Sequence, residues 1–539
     1  MKYKDPKPEV LRIEELVKDV KSGDIKLPKF QRPFVWKKED ILKLLDSIYR
    51  GYPIGSILLW LTHEELASER NIGGMEINER PDEYPTNYLL DGQQRLSSLC
   101  GALYWSGEDS NSIWNIAFDV EKETFVYPKT DSKVSYFPLN KLIDTRDFLA
   151  QCRTFDAHAK RDDFYEKAER LLNSIKDYRI AAVRIGDMKL NEVAPIFERI
   201  NSSGRQLTMV DLMRAATWKG GFDLSDAIKE VRSACESKHF EGIKELHILR
   251  SISAAAGNGI HKEDLDKLRD CTSDELKSAA EKAQQAYTLA VDFLTSELPL
   301  TSISYLPYGL QLTLLVEFFN LCPRPSIAQR DELRKWFWTS SFTRYFGIAN
   351  TGLITKSLSE IRAFSRLETT TIPVPKEVTP ASLLRDNFIL NKANSLTFAL
   401  ILATQGPKSF LDGAPVDTRR ALAYPNRLEY HHIFPKAFLK KLDFSSRKID
   451  YHLNIAMINL SDNREILDSK PSDYFKIMED RLGDRMEMVM LSHFISPEGI
   501  ECAKANDFEG FILERERLLS EAIHDLSKNG TTRRWRTTI

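Results

Sequence analysis

His431 and His432 stand side by side in "EYHHIFPKAFL", residues 429–439, in a chain with only ten histidines. Asn454 and Asn463 follow in "LNIAMINLSDNRE". A neutral imidazole is a general base that takes a proton from water as the water attacks a phosphodiester. The charge that builds on the phosphate is then met by a divalent cation. Imidazole nitrogen and amide oxygen are both suitable ligands for such a cation. On residue types alone, a satisfied histidine pair in a turn is the alternative. Strand-like "AMINL", a polar turn and a helix-like run predict a β-hairpin followed by a helix, a shape that holds one cation between strand and helix. Lys436 and Lys470 flank these positions and are candidate phosphate contacts, with solvated surface lysines as the alternative.

A second group sits in "LLDGQQRLSSL", residues 89–99. An apolar strand runs into Asp91-Gly92 and a helix begins at once. Helix N-termini present unpaired N–H groups and a positive dipole end, so this turn suits an anion. Gly92 lets the backbone approach a phosphate, Gln93 and Gln94 add donors, and Arg95 offers a bidentate fork. The alternative is a capped helix, with Asp91 as N-cap and Arg95 paired to it. "FQRPFVW" adds Gln31, Arg32 and Trp36, and "FERINSSGRQL" adds Arg199, Asn201, Ser203, Gly204 and Arg205 at a helix stop. Trp36 either stacks on a base or packs on the following helix. "FTRYFG", with Arg344, and "RRWR" mix basic and aromatic residues, which suits phosphate contact plus base stacking. A core edge and a frayed tail are the plainer readings. No Walker A loop is present.

The elements that must carry these groups are legible from periodicity. Val10, Leu11, Ile13, Leu16 and Val17 predict a helix over 8–22. A second helix is expected over about 38–50, with Ile41, Leu44, Leu45 and Ile48 as its apolar stripe. "GYPIG" is a turn, "SILLWL" a buried strand, and 63–86 an insertion or loop. A helix follows over 93–104. "WNIAFDV" and "TFVYP" alternate like paired strands, and "IAAVRIG" is a further strand. Thr208 and Asp211 have the spacing of a capping pair. Only helical periodicity appears over 222–366. The Thr/Pro-rich "ETTTIPVPKEVTP", residues 368–380, is a linker candidate. The class is therefore α+β and mostly helical. Three domains are expected: 1–220, a helical region 221–380 that couples the two ends, and 381–539 with a helical tail.

Composition agrees with a soluble chain. Its 539 residues exceed one core, 42% are hydrophobic and 29% charged, and the net charge is −2. Any nucleic-acid surface is then a local patch drawn from the 76 basic residues. Cysteines at 100, 152, 235, 271, 322 and 502 form no CxxC or zinc spacing, as expected of a reducing compartment. No signal peptide or membrane-length apolar run is seen, so a cytoplasmic location is expected.

Residues 431–463 resemble the HNH (His-Me finger) nuclease motif, in the divergent "HHIFPK…SDN" form of the DUF1524 branch. That resemblance implies a ββα-metal domain with His432 as general base and His431 and Asn463 as ligands of Mg²⁺ or Mn²⁺. Asn454 would orient the loop or the base. His431 stands where many relatives carry Asp, which leaves the preferred metal open. The segments "FQRPFVW", "DGQQR" and "RINSSG" together resemble the DUF262 family, which implies a ParB/sulfiredoxin-like α/β domain that binds and often hydrolyses NTP. Its pocket would be built from Gln31, Arg32, Asp91, Gly92, Gln93, Gln94 and Arg95, lined further by Arg199, Asn201 and Arg205. Asp91 would hold a metal or position water. The two in this order resemble GmrSD-type, type IV restriction endonucleases. The implied function is an NTP-regulated, metal-dependent DNA endonuclease of phage defence that nicks or cleaves modified DNA. Lys436, Lys470 and Arg344 are its DNA-contact candidates, DNA and NTP its partners, and a homodimer would give paired cuts. A nucleotide-gated DNA-binding sensor with an inactive nuclease fold is the alternative.

Overall fold

The computed structural model describes residues 6–28, 34–63, 66, 68–69, 71–77, 85–107, 109–128, 133–186, 188, 192–193, 196, 208–217, 222–422, 430–466 and 468–532. The chain is α+β and 56% helical, with small sheets. It divides into two compact units, Met1–Asp223 and Leu224–Ile539.

The first unit is built on a five-stranded sheet. Its strands are β1 (Lys7–Arg12), β2 (Ile25–Lys26), β3 (Ile57–Thr62), β4 (Thr86–Asp91) and, after a three-stranded sheet of β5 (Ala117–Asp119), β6 (Thr124–Val126) and β7 (Tyr136–Pro138), the long β8 (Arg179–Gly186). The spatial order is β1-β8-β3-β4-β2. β8 runs parallel to β3, while β1 with β8 and β3 with β4 are antiparallel. Central β3 is buried on both faces, which explains its unbroken "ILLWL". Ile57 and Leu59 face the core shared with α1 (Ile13–Ser22), α2 (Lys38–Tyr49), α3 (Gln93–Tyr104) and α4 (Arg161–Lys176), whereas Leu58 and Trp60 face a smaller cluster with Tyr88, Leu90 and Ile185.

The helix expected over 8–22 begins only at Ile13. Residues 7–12 are a strand in register with β8, and Val10 is 64% exposed. A ladder of backbone bonds to β8 outweighs the helical spacing of Val10 and Leu11. The paired strands around 117–126, the strand at 179–186 and the helices from 38 and 93 form as the periodicity predicts. Thr208 and Asp211 make a reciprocal capping box on α5 (Met209–Ala216).

The second unit is helical apart from a two-stranded ribbon, among the described residues. The Thr/Pro-rich stretch lies inside this unit: Ile372 is buried and its N–H donates to Glu332. The site is framed by α6 (Ala393–Thr404), β9 (Tyr430–His432), α7 (Lys436–Lys441), β10 (Ile455–Met457), α8 (Leu460–Ile466), α9 (Pro471–Leu482) and α10 (Phe508–Asn529). β9 and β10 pair antiparallel, with His431 opposite Ala456 and His432 opposite Ile455. No helix among the described residues is long and apolar enough to cross a membrane.

Candidate functional site

The β9–β10 ribbon is short, so its shape depends on side chains that fix the loop beyond it. Asn454 is fully buried. Its Oδ1 accepts from the Phe434 N–H at 2.8 Å, and its Nδ2 donates to the carbonyls of Phe434 and Ile449, each at 3.0 Å. Both amide donors are thus engaged by backbone, and Asn454 sets the path of the chain just after His432. Arg515 of α10 reinforces this from below. It is fully buried, donating to the Leu453 carbonyl at 2.7 Å and twice to that of His493. Burial pulls its pKa down to about 9. Phe434 is packed between Phe508 and Phe511, and Tyr474 of α9 donates to the Ile433 carbonyl.

Helix α8 is fixed by Asp462, whose carboxylate accepts from the Ser409 hydroxyl and the Phe410 N–H at 3.0 and 2.7 Å. This aims Asn463 at the ribbon. Asn463 Oδ1 lies 2.9 Å from His431 Nδ1. His431 is 5% exposed, and its buried Nε2 has no hydrogen-bond partner among the described residues. Burial pushes its pKa down to about 4, so it is neutral and able to act as a ligand near pH 7. In this contact Nδ1–H donates to the amide Oδ1, and imidazole nitrogen and amide oxygen are both donor types that a divalent cation takes as ligands. The residues present therefore fit a shared divalent ion. Among the described residues no cluster of three or more His, Cys, Asp or Glu gathers in a way that would hold a metal, so the fit rests on His431 and Asn463.

His432 points at a different partner. Its Nε2 is 3.0 Å from Asp450 Oδ1, and the same oxygen accepts from Lys436 Nζ at 2.6 Å. An ionised carboxylate only accepts, so Nε2 carries the proton and Nδ1 keeps the lone pair. Burial, with the charge of Lys436 behind it, lowers the His432 pKa and keeps the ring neutral. Burial alone would raise Asp450, but the bonds from Lys436 and His432 bring it below the usual carboxylate range.

Both histidines open on one cavity of about 440 Å³, lined also by Tyr430, Pro435, Lys436, Leu460, Asn463, Arg464 and Asp468. Lys470 and Arg344 do not line it. Lys470 pairs with Asp473 at 3.4 Å, and Arg344 with Asp386 at 3.2 Å. Sequence reasoning missed Asp450, which reaches His432 across 18 residues and has no local pattern. It also missed Arg464 and Asp468; Arg464, adjacent to Asn463, was the one with a local signal.

In the first unit, Gly92 at φ +100° takes the left-handed turn from β4 into α3, a conformation that favours glycine. Gln94 Oε1 accepts from the N–H groups of Val35 and Trp36 at 2.9 and 3.2 Å, joining two of the three amino-terminal motifs. Arg95 pairs with Asp91 at 3.3 Å and donates to the carbonyls of Ile54 and Ser56. A Cβ on Gly55 would come within 2.9 Å of its guanidinium. The "GYPIG" turn is thus folded around Arg95. Trp36 is half-buried against the core. Gln31, Arg32, Arg199, Asn201 and Arg205 lie outside the described residues.

The uncharacterized protein MJ0686 of Methanocaldococcus jannaschii is 25% identical to this chain over 588 residues, covering 95% of this chain and 98% of its own length. Residues 13–218 are similar to the family model of the GmrSD restriction endonuclease N-terminal domain.

Proposed function

We propose that the chain is a metal-dependent DNA endonuclease of the type IV restriction class, with an HNH site of DUF1524 type in the second unit and an NTP-binding, ParB-like domain of DUF262 type in the first. The observation that carries this is the single cavity onto which a base-competent His432 and a ligand-competent His431–Asn463 pair both open. His432 Nδ1 takes a proton from water while the water oxygen bonds to phosphorus. The P–O bond to the leaving sugar oxygen breaks, and that oxygen takes a proton from solvent. Asp450 holds the ring and stabilises the imidazolium so formed. His431 and Asn463 would hold Mg²⁺ or Mn²⁺, which when bound would supply positive charge to the phosphate oxygens. Asn454 acts through the loop it pins.

The amino-terminal reading rests on the α3 N-terminus, which no side chain caps at Gly92, beside the loop that Gln94 ties down. Asp91, Gly92, Gln93, Gln94 and Arg95 would meet the NTP phosphates. The test is plasmid cleavage with Mg²⁺ or Mn²⁺ by wild type and His432→Ala, with and without an NTP mixture, on unmodified and phage-modified DNA. Metal-dependent cutting lost in the variant is expected. Equal cutting by His432→Ala removes the HNH assignment. Retained DNA binding without cutting in any metal favours the nucleotide-gated sensor instead.

A further inference from the structure

In phosphodiester hydrolysis charge accumulates on the non-bridging oxygens in the transition state, and a positioned Arg or Lys stabilises it there. The three cations expected from the sequence to meet DNA are all engaged. Lys436 lines the cavity but is held by Asp450, while Lys470 and Arg344 lie outside it, paired with Asp473 and Asp386. Arg464 lines the same cavity, is exposed, and has no ion pair among the described residues. The adjacent Glu465 is taken by Arg481. Asp468, also on the cavity wall, makes no salt bridge to Arg464 within 4.0 Å. Asn463, the residue before Arg464, reaches His431, so α8 brings a candidate ligand and a guanidinium to one opening.

We propose that Arg464 is the side chain that grips the scissile phosphodiester, its planar fork spanning two non-bridging oxygens. The assignment rests on the nuclease reading above. Plasmid cleavage in Mg²⁺ or Mn²⁺ would compare wild type, Arg464→Ala, Arg464→Lys and Lys440→Ala, the last removing an exposed charge that does not line the cavity. Arg464→Ala is expected to lower kcat roughly 100-fold. Arg464→Lys recovers part of this, because lysine keeps the charge without the fork. Lys440→Ala is expected to leave kcat intact. In a His432→Ala background, Arg464→Ala should reduce the slope of log affinity against log salt by about 1. Thermal midpoints of the Arg464 variants should match wild type, since Arg464 is exposed and unpaired. Wild-type cutting with an undiminished kcat in Arg464→Ala overturns the assignment alone. A wild type that cuts no DNA in either metal overturns the nuclease reading and this assignment with it.

Discussion

Two adjacent histidines of one type are given different chemistry by their partners. His431 faces a neutral amide and is buried, which suits a ligand. His432 faces a carboxylate that fixes its tautomer, which suits a base. Asp450→Asn should therefore lower the cleavage rate on the order of 100-fold while leaving KM for DNA nearly unchanged, because the pair acts on the base and not on DNA. Steady-state kinetics on a nicked-plasmid readout would check this; a raised KM with kcat intact would assign Asp450 to binding instead. Arg95 shows the converse case, a residue with anion-binding chemistry that the fold also uses as a clamp on the Ile54 and Ser56 carbonyls. Arg95→Ala is expected both to weaken NTP binding and to lower the melting temperature of the first unit. Nucleotide titration at a temperature where the variant is fully folded separates the two effects.

At the scale of elements, short pieces are held by buried polar anchors rather than by their own propensity. The three-residue strands β9 and β10 and the seven-residue α8 would not persist alone. Asn454, Asp462 and Arg515 hold them. Arg515→Ala leaves the carbonyls of Leu453 and His493 buried without these donors, so a destabilisation of roughly 3 kcal/mol is expected. Urea unfolding would read it, and a loss below about 1 kcal/mol would mean the carbonyls find water. In the first unit, Thr208→Ala removes one half of the capping box on α5 and should cost about 1 kcal/mol.

At the scale of the molecule, the second unit buries neutral histidines. His452 Nδ1 donates to the Leu383 carbonyl, which leaves Nε2 of the neutral ring to accept from the Ser395 hydroxyl, and the ring stacks on Phe398 of α6 at 4.8 Å. His493 bonds the Lys408 carbonyl beside Arg515. Burial lowers their pKa values to about 4 and about 3. Their folded pKa values lie below the unfolded value near 6.5, so the unfolded chain takes up protons first as pH falls. Stability from this source is full above pH 6.5 and declines below it, by about 2 kcal/mol for each histidine at pH 5. The urea midpoint of the second unit should drop between pH 7.5 and 5. A flat midpoint across that range would show that the histidines become charged without unfolding.

The sequence by itself determined which residues are candidates for chemistry and many of the elements that surround them. His431, His432, Asn454 and Asn463 were legible because a hairpin-and-helix pattern packs them into one short stretch. The Asp91–Arg95 turn was legible because a strand, a glycine and a helix start leave little local choice. The strand at 7–12 was not, since its state is decided by a partner some 170 residues away in the chain. The tertiary structure alone decided that Asp450 orients His432 and that Arg515 and Asp462 support the ribbon and α8. It also decided that Lys470 and Arg344 face away from the cavity and Arg464 toward it. These are matters of direction and of hydrogen bonds closed between distant residues, such as the 53 positions from Ser409 to Asp462. Local periodicity specifies which face of an element is apolar, but not which polar group on another element will meet it.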